Sequence, residues 1–171
     1  LSRGRVASLT LIHFMLSLGP VLFLGVVVVL HVTGQESSDG DLTLLPTLSL
    51  VHAAMAVSAF GMALLLPGFL LRRTADALRG RSDNSEDTGP FVERLLAALQ
   101  GLHILRMALL EGPSLFGTAL LLMATLSGQL SRQPVLWANA ASTGVLLVVA
   151  AATVPTHERI LGWCRRASVE R

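Results

Sequence analysis

Apolar residues in this chain gather into four long, nearly unbroken stretches separated by short polar connections. The stretches lie at about residues 6–32, 47–71, 94–127 and 135–154. Crossing ~30 Å of hydrocarbon at 1.5 Å per residue takes about 20 residues, and each stretch is long enough. The first contains a valine-rich run from Leu22 to Leu30. Valine favours strands in water, but a spanning segment in lipid must satisfy its own backbone, so a helix is expected. That stretch is too long for a signal-peptide core and no small-x-small cleavage site follows it, so it reads as a span. The third exceeds the need and is expected to tilt, or to begin outside the hydrocarbon near Glu93 and Arg94. The pattern predicts an all-α polytopic membrane protein: one membrane domain over 1–171, four transmembrane helices, a linker at 72–93 and a tail at 155–171.

Composition narrows the class further. Of the 171 residues, 52% are hydrophobic and only 14% charged, against about 25% charged in a soluble domain. That balance excludes intrinsic disorder. Cys164 is the single cysteine, which excludes a disulfide framework and any cysteine-based metal site. All 13 basic residues are arginine. They stand beside apolar spans rather than along one face of a soluble helix, so nucleic acid is not an expected partner. The expected partner is the lipid bilayer.

The connections differ in charge. Residues 33–46 carry Glu36, Asp39 and Asp41 and no basic residue, whereas 72–93 carry Arg72, Arg73, Arg79 and Arg81. Arg3 and Arg5 precede the first span, and Arg159, Arg165, Arg166 and Arg171 follow the last. The positive-inside rule then places both termini and the 72–93 linker in the cytoplasm of a bacterial cell, with the inner membrane as location. Trp137 and Trp163 fall near opposite ends of the fourth span, as interfacial anchors do.

A motif recurs. Gly19-Pro20-Val21-Leu22-Phe23 in the first span matches Gly112-Pro113-Ser114-Leu115-Phe116 in the third, with His13 and His103 upstream and Gly25 and Gly117 just beyond. Ser58-Ala59-Phe60-Gly61 and Ala141-Ser142-Thr143-Gly144 form a weaker pair in the second and fourth spans. Two tandem helical hairpins are expected, related by a parallel repeat about the membrane normal. Pro20 and Pro113, with Gly19 and Gly112 before them, are expected to kink their helices.

Candidate chemistry centres on the third span. Arg106 and Glu111 are the charged residues that hydropathy places well inside a span. A charge at the bilayer centre costs roughly 2.5–3.5 kcal/mol on insertion scales, so it needs a purpose. Gln100, His103, Met107 and Glu111 share one helix face by spacing. Arg106 is about 140° around the helix from Glu111, which strains a direct pair; its long stem can reach the interface instead. Three uses of Glu111 stay open. It can pair with Arg106 or with a hydroxyl such as Ser17, Ser58 or Ser142; it can bind a proton or cation; or it can contact a partner subunit or a lipid headgroup.

Two further features have structural or functional readings. By depth, His13 pairs with His103 and His31 with His52, the arrangement by which a four-helix bundle holds two b-type haems. The simpler reading places His31 at a helix end and His52 about a turn inside one, both within reach of water, and His13 and His103 as hydrogen-bonded bundle residues. Ala54, Ser58 and Gly61, with Ala138, Ser142 and Gly144, form small-residue faces on which helices are expected to pack closely. No Gly-rich phosphate loop, Ser–His–Asp arrangement or HExxH motif occurs, so no enzymatic activity is expected.

The stretch Arg106 to Met123, with Glu111 followed by Phe116-Gly117 and an aliphatic run, resembles the carboxylate-bearing helix of rotary ATPase proteolipid (c-type) subunits. That resemblance implies proton or cation translocation through Glu111. Glu111 lies on the first rather than the second helix of its hairpin, and the proteolipid glycine ladder is missing. Leu105 to Phe116, with Pro155-Thr156-His157-Glu158-Arg159, is also similar to a group of small uncharacterised bacterial four-helix membrane proteins. The expected function is a small non-enzymatic accessory or structural subunit, in a homo-oligomer or larger membrane complex, organised around Arg106 and Glu111. Proteolipid-like translocation is the alternative and a b-type cytochrome the third reading.

Overall fold

The computed structural model describes residues 3–34, 43–82, 89–156 and 158. Among them every regular element is helical: α1 Arg3–Val32, α2 Leu45–Ser82, α3 Gly89–Leu126, α4 Gln129–Arg132, a 3₁₀ segment Pro134–Ala140, and α5 Ala141–Thr153. Four spans within them are long and apolar enough to cross a membrane: Ala7–Val32, Leu45–Thr74, Ala97–Leu126 and Pro134–Thr153. The protein is an all-α, multi-pass membrane protein. Large apolar side chains such as Leu22, Val29, Val57, Leu65 and Val148 point outward, which is the arrangement lipid rewards.

Two glycines set the helix ends. Gly34 and Gly128 both adopt φ 67°, a left-handed conformation that terminates a helix at little steric cost. Gly128 turns the chain out of α3 into α4, where Gln129 and Leu130 are buried. The loop expected at 128–134 therefore contains a helical turn. The fourth span is not a uniform α-helix: Pro134 opens seven residues of 3₁₀ helix before α5 begins. Such runs rarely exceed 3–4 residues. Here side chains hold the tight turns: Asn139 Nδ2 donates to Leu136 O at 3.0 Å, and Ser142 Oγ to Asn139 O at 3.1 Å. The helices also run beyond the apolar stretches, α2 to Ser82 and α3 back to Gly89.

Helix α3 is the hub. It packs against α1, α2, the 3₁₀ segment and α5, whereas α1 and α2 lie on its two flanks without packing substantially on each other. This corrects the first of the two expected hairpins. Sequence proximity does not decide pairing here, because both helices find more contact on α3. The parallel relation of α1 and α3 does appear: His13 meets His103, and Gly19 meets Glu111 further along both helices. Helix α5 runs antiparallel to α1, with His13 on Ala150 and Thr10 on Pro155.

The core has three layers. Val27, Leu45, Leu120, Leu121, Ala124, Leu130 and Leu136 form an apolar cluster at one end. Ala63, Met107, Leu110, Leu146 and Ala150 form a second cluster nearer the N-terminus of α3. Between them, residues 113–118 of α3, 139–143 of the last span and His52 of α2 contribute a polar layer. Polar groups buried in lipid must find partners, and those partners lock the helices to one another.

Candidate functional site

The polar layer is built around the carbonyl of Pro113. Pro113 lies inside α3, and its carbonyl oxygen is reached by His52 Nε2 at 3.0 Å and by Ser142 Oγ at 3.3 Å. The other ring nitrogen of His52, Nδ1, lies 2.9 Å from Asn139 Oδ1. Asn139 Nδ2 in turn donates to Ser49 Oγ at 2.9 Å. Ser114 Oγ donates to Leu110 O and Ser142 O, and Thr143 Oγ1 to Ser114 O. His52 and Ser49 thus bring α2 into a network that ties α3 to the last span. The Phe116 ring stands edge-on to it at 5.9 Å.

Gly117 makes this approach possible. A Cβ there would collide with the Asn139 carbonyl oxygen and stand 2.8 Å from the His52 ring. No side chain fits between α3, His52 and the 3₁₀ segment. The glycines expected to mediate packing, Gly61 and Gly144, meet nothing within 4 Å of an added Cβ. That expectation is corrected. Ala54, Ser58, Ala138 and Gly144 are exposed and Gly61 half-exposed; only Ser142 of the expected faces is buried. The packing face of α2 instead carries His52, Ala56, Ala59 and Ala63. Helical phase decides this: the small residues fall on the side of α2 turned away from α3.

A second polar contact joins α1 to α3. His13 Nδ1 and His103 Nε2 lie 3.0 Å apart, with the rings stacked at 5.1 Å and 23°. His13 Nε2 lies 3.1 Å from Ala150 O. A carbonyl only accepts, so His13 Nε2 carries a proton; in the neutral ring Nδ1 then accepts, and His103 donates from Nε2. Ser17 Oγ donates to His13 O one turn along.

This geometry does not suit the haem reading. Two imidazoles on one metal stand about 4 Å apart, twice a ~2.0–2.1 Å bond, and His13 already uses both ring nitrogens. His52 belongs to the polar layer, and His31 packs edge-on against Trp137 at 5.6 Å. The four histidines are dispersed into three separate environments.

The Arg106 and Glu111 positions also separate. Arg106 lines a cleft of about 220 Å³ between α2 and α3, with His103, Pro67 and Leu71; its Nε is buried without a hydrogen-bond partner. Glu111 turns to the other flank, its Oε1 3.7 Å from where a Cβ on Gly19 would stand. It is half-buried near the midpoint of α3, and it makes no hydrogen bond or ion pair among the described residues. The hydroxyls expected to serve it are engaged elsewhere: Ser17 with His13 O, Ser58 with Ala54 O, Ser142 in the polar layer. Of its face-mates, His103 and Met107 are buried and Gln100 is half-buried. Gly112 has open space beside it, and Pro20 is buried. Trp163 and Arg159, Arg165, Arg166 and Arg171 lie outside the described residues, as do Glu36, Asp39 and Asp41.

Asn139, Ser114, Thr143, Ser49 and Gly117 were not predicted as site residues. The available signal was an amide in the first turns of the last span, with hydroxyl residues recurring in the third. Attention to charge alone passes over it. Compared with known protein families, curated proteins and solved structures, the chain matches none.

Proposed function

We propose that this protein is a small, non-enzymatic accessory subunit of a bacterial inner membrane, both termini cytoplasmic, that assembles with a further membrane helix through Glu111. One observation carries the reading: a half-exposed carboxylate midway along α3, seated against Gly19, has no polar partner among the described residues. Such a group is costly in lipid. A helix from a second copy or from another subunit, bringing a hydroxyl or a basic group, removes that cost. The glycine beside it leaves the carboxylate room to turn outward.

The reading is tested by comparing Glu111→Gln with Glu111→Leu. Gln keeps the shape and the hydrogen bonding. The mass of the assembly in mild detergent is expected to be unchanged for Glu111→Gln and reduced for Glu111→Leu. Equal, wild-type mass for both variants contradicts the reading.

A second reading, proton or cation translocation, has its own support. His13/His103 and Gly19/Glu111 follow one another along the same α1–α3 seam, so titratable groups recur at different depths. In reconstituted vesicles Glu111→Gln would then assemble normally and lose all flux, whereas an accessory subunit shows no Glu111-dependent flux at all.

A further inference from the structure

Arg106 carries a charge that no described residue balances. It lies about 13 Å from the start of its span at Ala97, at 1.5 Å per residue. Its Nε is buried without a hydrogen-bond partner, and its terminal amines make no hydrogen bond or ion pair among the described residues. An arginine cannot shed its proton to escape this. A guanidinium at that depth is costly unless an anion or a polar surface meets it.

The cleft beside Arg106 has the layout of a particular kind of anion. It holds about 220 Å³ between α2 and α3; Pro67, Leu71, Leu99 and Leu102 give it apolar walls, and none of its lining residues is acidic. His103 lends its Nε2 to His13, which leaves Arg106 as the charged group of the cleft. On α3 the other lining residues all precede Arg106. Helical side chains lean toward the N-terminus of their helix, so the guanidinium is carried along the cleft toward the start of the span, not toward the bilayer centre. The α2 wall ends at Leu71, and the exposed Arg72 and Arg73 follow it directly, beside the end of that span at Thr74. The cleft is thus basic at its mouth and apolar in its depth. Gly68 keeps it open, since a Cβ added there meets nothing within 4 Å.

Basic pockets between transmembrane helices hold the headgroups of anionic lipids. We propose that the α2–α3 cleft binds one anionic phospholipid, with its phosphate on the Arg106 guanidinium, Arg72 and Arg73 at the mouth, and part of an acyl chain against the apolar walls. The surroundings favour lipid over a second protein. Leu64, Phe69, Ile104 and Leu105, on the same stretches of α2 and α3, are exposed apolar side chains, and a cleft of about 220 Å³ admits a hydrocarbon chain but not a helix ~10–12 Å across. The site is on the α2 flank of α3, whereas Glu111 faces Gly19 on the α1 flank, so the proposal does not rest on the role given to Glu111.

The test is native mass spectrometry of the intact protein, freed of lipid in a neutral detergent. The probes are phosphatidylglycerol and phosphatidylcholine with identical chains, which share hydrocarbon and differ in net charge. The expected result is one discrete phosphatidylglycerol adduct, preferred over phosphatidylcholine, with the preference about tenfold weaker in Arg106→Gln for the loss of one charge-assisted contact. Arg94→Gln, which changes an exposed arginine of α3 outside the cleft, is expected to keep the preference. Gly68→Leu keeps the guanidinium but fills the cleft, so its adduct is expected to weaken too; it tests the site even if Arg106→Gln does not fold. Excess inorganic phosphate is expected to leave the adduct in place. Equal preference in the wild type and Arg106→Gln overturns the proposal, as does an undiminished adduct in Gly68→Leu. Displacement by inorganic phosphate overturns the lipid assignment in favour of a free anion. No preference for phosphatidylglycerol in the wild type overturns it as well, and leaves an acidic side chain of another subunit as the counter-charge.

Discussion

His13 and His103 sit 3.0 Å apart, each upstream of one copy of the repeated Gly-Pro motif, and join α1 to α3 as parallel neighbours. The contact is a relay of three groups, since His13 also reaches Ala150 O on α5. Helices α1, α3 and α5 thus converge on one imidazole pair, buried where a lost partner is expensive.

Removing either ring strands a buried donor or acceptor. His13→Leu and His103→Leu are each expected to destabilise the protein by about 1–3 kcal/mol. Because the residues act together, the double variant should fall short of the sum by about 0.5–3 kcal/mol. Reversible unfolding in mixed micelles measures this. Strict additivity would show that the two rings are not coupled.

Glycine substitutions separate the packed sites from the open ones. Gly117→Ala forces a Cβ into the Asn139 carbonyl and the His52 ring, and should cost about 1–3 kcal/mol, as overpacking does. Gly61→Ala and Gly144→Ala add a methyl to open space within helices. They should be neutral or stabilise by up to about 1 kcal/mol, since alanine is the better helix former. Thermal unfolding of the three variants in one detergent ranks them, and a Gly61 variant weaker than the Gly117 variant would reverse the assignment of the α2 packing face.

Orientation is open to a direct measurement. A reporter active only outside the cytoplasm should give no signal when fused at residue 85 and a strong one at residue 38. The basis is the arginine of the 72–93 linker against the acidic 33–46 connection. The opposite pattern would invert the proposed topology.

Four spans were legible because length and apolarity alone decide whether a segment can cross a bilayer. Their boundaries were less so: Pro134 begins the last span, but nothing in its apolar pattern distinguishes 3₁₀ from α until Asn139 and Ser142 are seen bonding three residues back. Glu111 was singled out by the cost of its charge. Where it points was not legible, because the side chain responds to Gly19 on another helix. Small residues were misjudged for a related reason. Gly61 and Gly144 are as small as Gly117, and only the rotation of each helix against its neighbours decides which glycine another backbone approaches. The His52 network was missed because its members are individually ordinary hydroxyls and an amide, and their partnership exists only across three helices.

The central claim is that the face around Glu111 receives another membrane helix. Leu115 lies one turn beyond Glu111 on that face and is 37% exposed. Val148 on α5, 70% exposed, is the lipid-facing control. A photo-reactive phenylalanine analogue at each position, activated in intact membranes, tests the claim most directly. The account predicts a discrete protein adduct from position 115, retained with Glu111→Gln and lost with Glu111→Leu, and none from position 148. Absence of a protein adduct at 115, or an equal one at 148, would contradict it.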